Sequence, residues 1–453
     1  MAVTTKKKKY VSTTNACKLC TPLGACIAFR GIEGGMPLLH GSQGCSTYMR
    51  RYIISHFKEP IDIASSSLGE KQAVYGGGAN LKQGLRNVTE KYVPALIGIG
   101  TTCLTETIGD NVPMFLSEYK KEFGTPEMPV LVPVSTPSYS GTHIDGFNNA
   151  VKATVDVLSE GGIKNRSVNI MPGFVSPQDI RYLKEILDDF ELTYSILPDI
   201  SETLDGPALE EYEKIPSGGT PLKAIKSMGC AQASIEFGRT LHIGKTAGSV
   251  LEDRFLVRNH IIGLPLGVNE TDRFFELLSY LSGHPVPQKY VLERGRLIDS
   301  FVDAHKYIFE TRAVVYGEED FVVGLTAFLT EIGIIPVMCA SGGKSNRLAE
   351  AIKEAAPFLP EETVIREGVD FMEISDEVQE LNPDILVGHS KGYHLSRKMK
   401  IPLVRVGFPI HDRIGGQRIL HLGYRGAQEL FDKIVNAVIE YKQESSPVGY
   451  FYM

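Results

Sequence analysis

Short apolar runs ending in Gly, Ser or Thr, each followed by an amphipathic stretch, predict an α/β protein of doubly wound parallel sheets. Length is the second observation: 453 residues, at about 150 per domain, make about three units, each able to bury its own core. Composition is the third. Hydrophobic residues make up 43% and charged residues 22%, with 45 Gly and 25 Pro, a balance that excludes a disordered chain or a small disulfide-stapled module. The Gly161-Gly162 break and the Gly283-His284-Pro285-Val286-Pro287 stretch divide the chain into α/β domains over 1–160, 161–290 and 291–453.

In the first unit, residues 37–39 read as a strand leading through Gly41-Ser42-Gln43-Gly44 into a helix over 46–57. Residues 95–100 and 130–134 read as buried strands. The second unit opens with a strand over 167–171, and Ser176-Pro177-Gln178-Asp179 starts a helix, with Ser as cap, Pro in the first turn and an acid three residues on. Ile180, Leu183, Ile186 and Leu187 form its buried stripe, and 191–197 returns as the next strand. The third unit begins with a strand over 313–316 and a helix whose face is Phe321, Leu325, Phe328 and Ile332. Strands follow at 334–338, 384–387 and 403–406, and a helix at 427–441. The aromatic end, 447–453, reads as a segment docked on a partner.

A formal net charge of -7 argues against a general nucleic-acid or anionic-membrane binder, because such partners need a basic footprint. The basic run at 6–9 reads as a solvated tail. No leader pattern opens the sequence and no apolar run reaches the ~20 residues that span a bilayer, so a cytoplasmic protein is expected. In that reducing compartment the 7 cysteines read as metal ligands or redox groups rather than disulfides.

Two segments imitate a phosphate-binding loop and fail. Ser341-Gly342-Gly343-Lys344-Ser345 has Met338 where the first Gly is required, and Gly244-Lys245-Thr246 has Arg239 there. Gly76-Gly77-Gly78 lacks a dinucleotide fingerprint and reads as close backbone packing. His40, His56, His143 and His411 each read as structural or hydrogen-bonding groups.

Cys17-x-x-Cys20 has no second close pair to complete a zinc site. Cys45 and Cys103 instead each sit just beyond a strand, in a Gly or Thr turn entering a helix, where α/β sheets bind ligands. A thiolate there is stabilised by the helix dipole, and Gly41 and Gly44 let the backbone approach a bulky group. Single cysteines on separated loops point to an iron–sulfur cluster completed by another chain, with buried structural thiols as the plainer reading.

Four motifs then carry a resemblance: Cys20-Thr21-Pro22-Leu23-Gly24-Ala25; His40-Gly41-Ser42-Gln43-Gly44-Cys45; Thr101-Thr102-Cys103 with Glu106, Ile108, Gly109 and Asp110; and Gly407-Phe408-Pro409-Ile410 with Asp412-Arg413. Over essentially the whole chain they resemble the β-type subunits of nitrogenase component 1. The resemblance implies three α/β domains, an α2β2 heterotetramer with an α-type subunit, and an iron–sulfur cluster at the α/β interface. It also implies a transient, ATP-hydrolysing iron protein as partner, in keeping with the failed phosphate loops. By position, Cys45 matches the interface-cluster ligand, Cys20 and Cys103 match further ligands of an eight-iron cluster, and Thr142 matches a Ser that can add an oxygen ligand. Cys17, Cys26, Cys230 and Cys339 match no family role.

Two branches of the family compete. Residues 18–25 and 411–418 look most like the NifN-type subunit of the scaffold that matures the iron–molybdenum cofactor with a NifE-like α-type chain. Only residues 1–16 precede Cys17, short of the extension in molybdenum-type catalytic β subunits. A scaffold subunit is therefore expected, without independent catalysis, with the cofactor precursor lodged mainly in its partner and a four-iron or eight-iron interface cluster. One departure opposes this: scaffold subunits lack the equivalents of Cys20 and Cys103. The alternative is a catalytic β-type subunit of nitrogenase, or of a nitrogenase-like reductase, carrying an eight-iron cluster.

Overall fold

The computed structural model describes residues 17–211, 213–242 and 244–448; the basic run at 6–9 and residues 449–453 of the aromatic end lie outside it. The first sheet contains β1 (Gly35–His40), β2 (Ala64–Ser65), β3 (Leu96–Thr101) and β4 (Val130–Val134), all parallel, in the order β2-β1-β3-β4. Its helices are α1 (Thr21–Arg30), α2 (Gln43–Phe57), α3 (Glu70–Tyr75), α4 (Gly78–Tyr92), α5 (Cys103–Ile108), α6 (Val112–Phe123) and α7 (His143–Leu158). The second sheet contains β5 (Val168–Met171), β6 (Tyr194–Ile196), β7 (Ala233–Phe237) and β8 (Arg258–Ile262), in the order β6-β5-β7-β8. With it go α8 (Pro177–Asp189), α9 (Leu222–Ser227), α10 (Ala247–Phe255) and α11 (Asn269–Ser282).

After the long helix α12 (Gln288–Ile308), the third sheet contains β9 (Arg312–Gly317), β10 (Ile335–Ser341), β11 (Val364–Arg366), β12 (Ile385–Gly388) and β13 (Leu403–Arg405). Its order is β11-β10-β9-β12-β13, flanked by α13 (Glu319–Glu331), α14 (Leu348–Ala355), α15 (Phe371–Leu381), α16 (Tyr393–Met399) and α17 (Gly423–Ser445). Three parallel-sheet α/β units are thus present. Each sheet has a point where successive strands depart to opposite sides, between β1 and β3, β5 and β7, and β9 and β12. Loops diverge at such a point and leave a crevice for ligands or neighbouring chain.

Local sequence explains the elements. Ser176 caps α8 by accepting from Asp179 N–H, and Ile180, Leu183, Ile186 and Leu187 are buried. The helix over 427–441 extends further, as α17, because it packs along α12. Gly76-Gly77-Gly78 joins α3 to α4, and a Cβ on Gly77 would lie 2.6 Å from Asp110 and 2.7 Å from His40. Close packing is its role.

Both phosphate-loop imitations are filled from inside. Glu236 accepts from Gly248 N–H at 2.9 Å and from the Thr246 hydroxyl, and Glu319 accepts from Ser345 N–H at 3.0 Å and its hydroxyl at 2.8 Å. A protein carboxylate occupies the place of the anion in each. The three units meet at Phe408, whose ring packs against His56, Phe57 and His143 of the first and Phe174 of the second.

Candidate metal centre

The first sheet's switch point carries the site. Beyond β1, Ser42 takes extended backbone at the N-cap of α2, which places Cys45 in the first helical turn. Beyond β3, Thr102 caps α5 and Cys103 is its first residue. Because β1 and β3 pair in register to His40–Thr101, these two loops leave the sheet side by side. Thr102 N–H donates to His40 O at 3.1 Å, and Thr105 Oγ1 donates to the same oxygen at 3.0 Å. A Cβ on Gly41 would overlap the Thr102 side chain, so this glycine serves loop-on-loop packing. At Gly44 a Cβ would meet nothing closer than Ser42 Oγ at 3.8 Å, and the backbone there faces open space.

Cys20 arrives from outside the sheet, at the N-cap of α1. The loop after β4 links it to Cys103: Ser138 N–H donates to Cys103 Sγ at 3.2 Å, and Thr21 Oγ1 donates to Pro137 O at 3.4 Å. Gly24 explains its place in the motif, since a Cβ would collide with the main chain at His143 where α1 crosses α7. Gly146 does the same against Thr21. Beneath the thiols, His40 bridges Ser66 Oγ at 2.8 Å and Asp110 at 3.0 Å, and Asp110 accepts from Gly77 N–H at 3.1 Å. Burial holds the His40 imidazole below its ordinary pKa despite Asp110.

The seven thiols divide by exposure. Cys20 and Cys103 are exposed and Cys45 half-buried, whereas Cys17, Cys26 and Cys339 are buried. Burial raises Cys17 and Cys339 to about 12 and Cys26 further, which keeps them protonated and inert. Cys230 is half-buried with its sulfur 3.9 Å from Glu160 O. Three exposed tyrosines surround the thiol edge: Tyr48 one turn beyond Cys45, Tyr139 beside Ser138, and Tyr75 on α3, which packs against α5.

Among the described residues, no group of three or more His, Cys, Asp or Glu side chains is gathered to hold a single metal ion. The donor set instead consists of separate thiols on one open edge, which fits a group that spans them and takes its remaining ligands from outside the chain. Thr142 is differently placed. It is buried at the N-cap of α7, accepting from Ile144 N–H at 3.2 Å and donating to Asp145 at 3.0 Å, so its hydroxyl is spent on the helix.

A family model, nitrogenase component 1 type oxidoreductase, matches residues 20–439. The chain belongs to the nitrogenase component 1 family. It is 35% identical over 429 residues to the nitrogenase molybdenum-iron protein beta chain of Clostridium pasteurianum, covering 94% of this chain and 93% of that one. It is 37% identical to the corresponding chain of Methanothermobacter marburgensis, with 93% of each covered. The vanadium-iron protein beta chain of Trichormus variabilis is 36% identical, with 98% of each covered. Among solved structures, Nitrogenase Cp1 at pH 6.5 superposes with a TM-score of 0.93 at 33% identity, covering 99% of this chain and 98% of that one. A chain of Nitrogenase Cp1 at pH 5, at 14% identity and a TM-score of 0.69, shares the fold alone.

These relatives overturn the expectation of a NifN-type cofactor-maturation scaffold. Whole-length likeness is to chains named as beta chains of the nitrogenase proteins themselves. A short N-terminal segment does not separate the two branches, since the Clostridium beta chain is matched over 93% of its own length. Cys20 and Cys103, the departure that opposed a scaffold subunit in the sequence, are exposed here, with Cys45 half-buried. The stretch 411–418 serves interdomain packing, with Gly416 against His56 and Ile410, and so does not mark a scaffold subunit.

Proposed function

We propose that this chain is a catalytic β-type subunit of nitrogenase, working in an α2β2 assembly with an α-type subunit and receiving electrons from a separate ATP-hydrolysing iron protein. The observation that carries it is the set of accessible thiols, exposed Cys20 and Cys103 and half-buried Cys45, at three helix starts on one edge, in a chain alike over its whole length to nitrogenase beta chains. On this reading Cys20, Cys45 and Cys103 would hold the β-side irons of an eight-iron cluster whose other ligands would come from the α-type subunit. When bound, the cluster supplies electron storage and transfer.

The chain's own residues prepare that edge. Cys20 and Cys45 stand at the N-terminal ends of α1 and α2, where the positive end of each helix dipole faces a bound anionic group, and Ser138 N–H hydrogen-bonds the Cys103 sulfur. The open backbone at Gly44 admits a bulky neighbour. Tyr48, Tyr75 and Tyr139, 61%, 81% and 67% exposed, supply apolar surface that a docked subunit would cover and so keep water from the cluster. Nucleotide hydrolysis belongs to the iron protein, since both candidate loops here are filled by Glu236 and Glu319.

The test is anaerobic purification of the complex with its α-type partner, iron analysis per αβ pair, and acetylene and dinitrogen reduction with the iron protein. Eight interface irons and direct reduction are expected. An iron-free complex, or one that reduces neither substrate, overturns the reading; reduction of another small molecule only makes it a nitrogenase-like reductase.

A further inference from the structure

The segment that ends at Cys20 is held by the third domain. Gly342, beyond β10, packs on its backbone so closely that a Cβ would sit 2.7 Å from both Cys17 C and Lys18 N. Cys17 Sγ lies 3.9 Å from His389 Nε2, beyond β12. Next to Cys20 the grip is tightest. Leu19 N–H donates to His143 Nδ1 at 3.4 Å, and His143 N–H donates to Leu19 O at 3.1 Å. Since Nδ1 accepts, Nε2 carries the proton, which it donates to Glu318 Oε1 at 3.2 Å. His143 and Glu318 have side chains only 3% and 10% exposed.

We propose that Glu318, acting through His143, is a positioning residue for Cys20, so that the third domain sets where this thiol is presented. The chain of contacts is Glu318 to the His143 ring, the ring to Leu19 N–H, and Leu19 directly to the thiol residue. A carboxylate that orients an imidazole is the arrangement that fixes metal-ligating histidines. Here the imidazole grips the peptide beside the ligand instead of the metal. Burial would raise the Glu318 carboxyl, but His143 carries it below its ordinary value, so the pair holds its charge-assisted bond.

The proposal rests on Cys20 being a cluster ligand for its consequence, though not for the positioning itself, and two measurements keep these apart. First, maleimide labelling of Cys20 in the iron-free full-length chain, scored against Cys103, reads thiol placement without metal. His143→Leu and Glu318→Ala should each raise the Cys20 rate about threefold to tenfold, the effect of one lost hydrogen bond, with Cys103 unchanged. The double variant should add nothing to either, and His143→Asn, whose amide oxygen can still accept from Leu19 N–H, should restore the rate. Second, in the anaerobic complex the same variants should change the EPR line shape and midpoint potential of the interface cluster at unchanged iron content. An unchanged Cys20 rate in Glu318→Ala, additive effects, or no rescue by His143→Asn overturns the positioning. A changed rate with an unaltered cluster signal instead overturns Cys20 as a ligand. Should His143→Leu not fold, Glu318→Gln, which keeps the acceptor, and Glu318→Ala give the same decision by their difference.

Discussion

The first and third sheets have the same kind of switch point and use it in opposite ways. Between β1 and β3 the diverging loops leave Cys103 exposed and Cys45 half-buried, with open backbone at Gly44. Between β9 and β12 the crevice is closed by this chain itself: Glu318 and His389 face His143 and Cys17 of the first domain. One crevice leaves its donors accessible, and the other spends them on interdomain contact. The difference teaches that a crevice marks where chemistry can be placed, while exposure of the donors tells whether the partner is internal or external.

The largest effect expected is at the open crevice. Cys45→Ala should strip or rebuild the interface cluster and abolish substrate reduction, seen as lost iron and a lost EPR signal, while the thermal midpoint of the iron-free chain hardly moves. The same exchange at buried Cys339 should reverse the pattern, lowering stability and sparing iron content.

At a closed contact the effect should be on folding. Asp179, buried in α8, accepts from His421 N–H at 2.7 Å, Leu422 N–H at 3.1 Å and the His421 ring at 2.9 Å, joining second domain to third. Asp179→Ala leaves these groups without their partner and should cost about 3–5 kcal/mol in denaturant unfolding. Gly24→Ala lies between the two cases. Overpacking against the α7 backbone should cost about 1–3 kcal/mol and, by shifting α1, also lower cluster occupancy.

Smaller effects sharpen the comparison. Thr142→Ala removes the α7 cap and should cost about 1 kcal/mol with the iron content unchanged, because its hydroxyl serves the helix. In pH dependence, burial lowers His56 from 6.5 to about 3 and His389 from 6.5 to about 4. Their contribution is present above pH 6.5 and is lost as pH falls toward those values, so the thermal midpoint should drop on acidification. Glu319, raised by burial from 4.5 to about 7, works in the other sense: the fold favours its protonated form, and that contribution is lost as pH rises from 4.5 to 7. Glu319→Gln should therefore make the acid loss steeper, as measured by midpoints between pH 5 and 7.

Much of this was legible in the chain. The capping signal Ser176 to Asp179 and the stripe from Ile180 to Leu187 lie where their spacing placed them, because caps and periodicity are local physics. Strands β7 and β8 carry little local signal: Glu236 breaks the apolar run of one, and Arg258, Asn259 and His260 make the other polar. Their pairing is enforced by the sheet and by Glu236 being consumed by Thr246, Gly248 and Asn259. The second duty of Asp179, as an interdomain latch, also had no sequence signal, since its partners lie more than 240 positions away.

The α/β class, the thiols that follow strands and the failure of the phosphate loops can all be read along the chain, since each depends on residues near one another in it. Tertiary structure decided which thiols face outward, that Gly41 serves packing while Gly44 stays open, and that His143 belongs to Cys20's support. Those are questions of burial and of contact between distant segments, and spacing along a chain carries no measure of either.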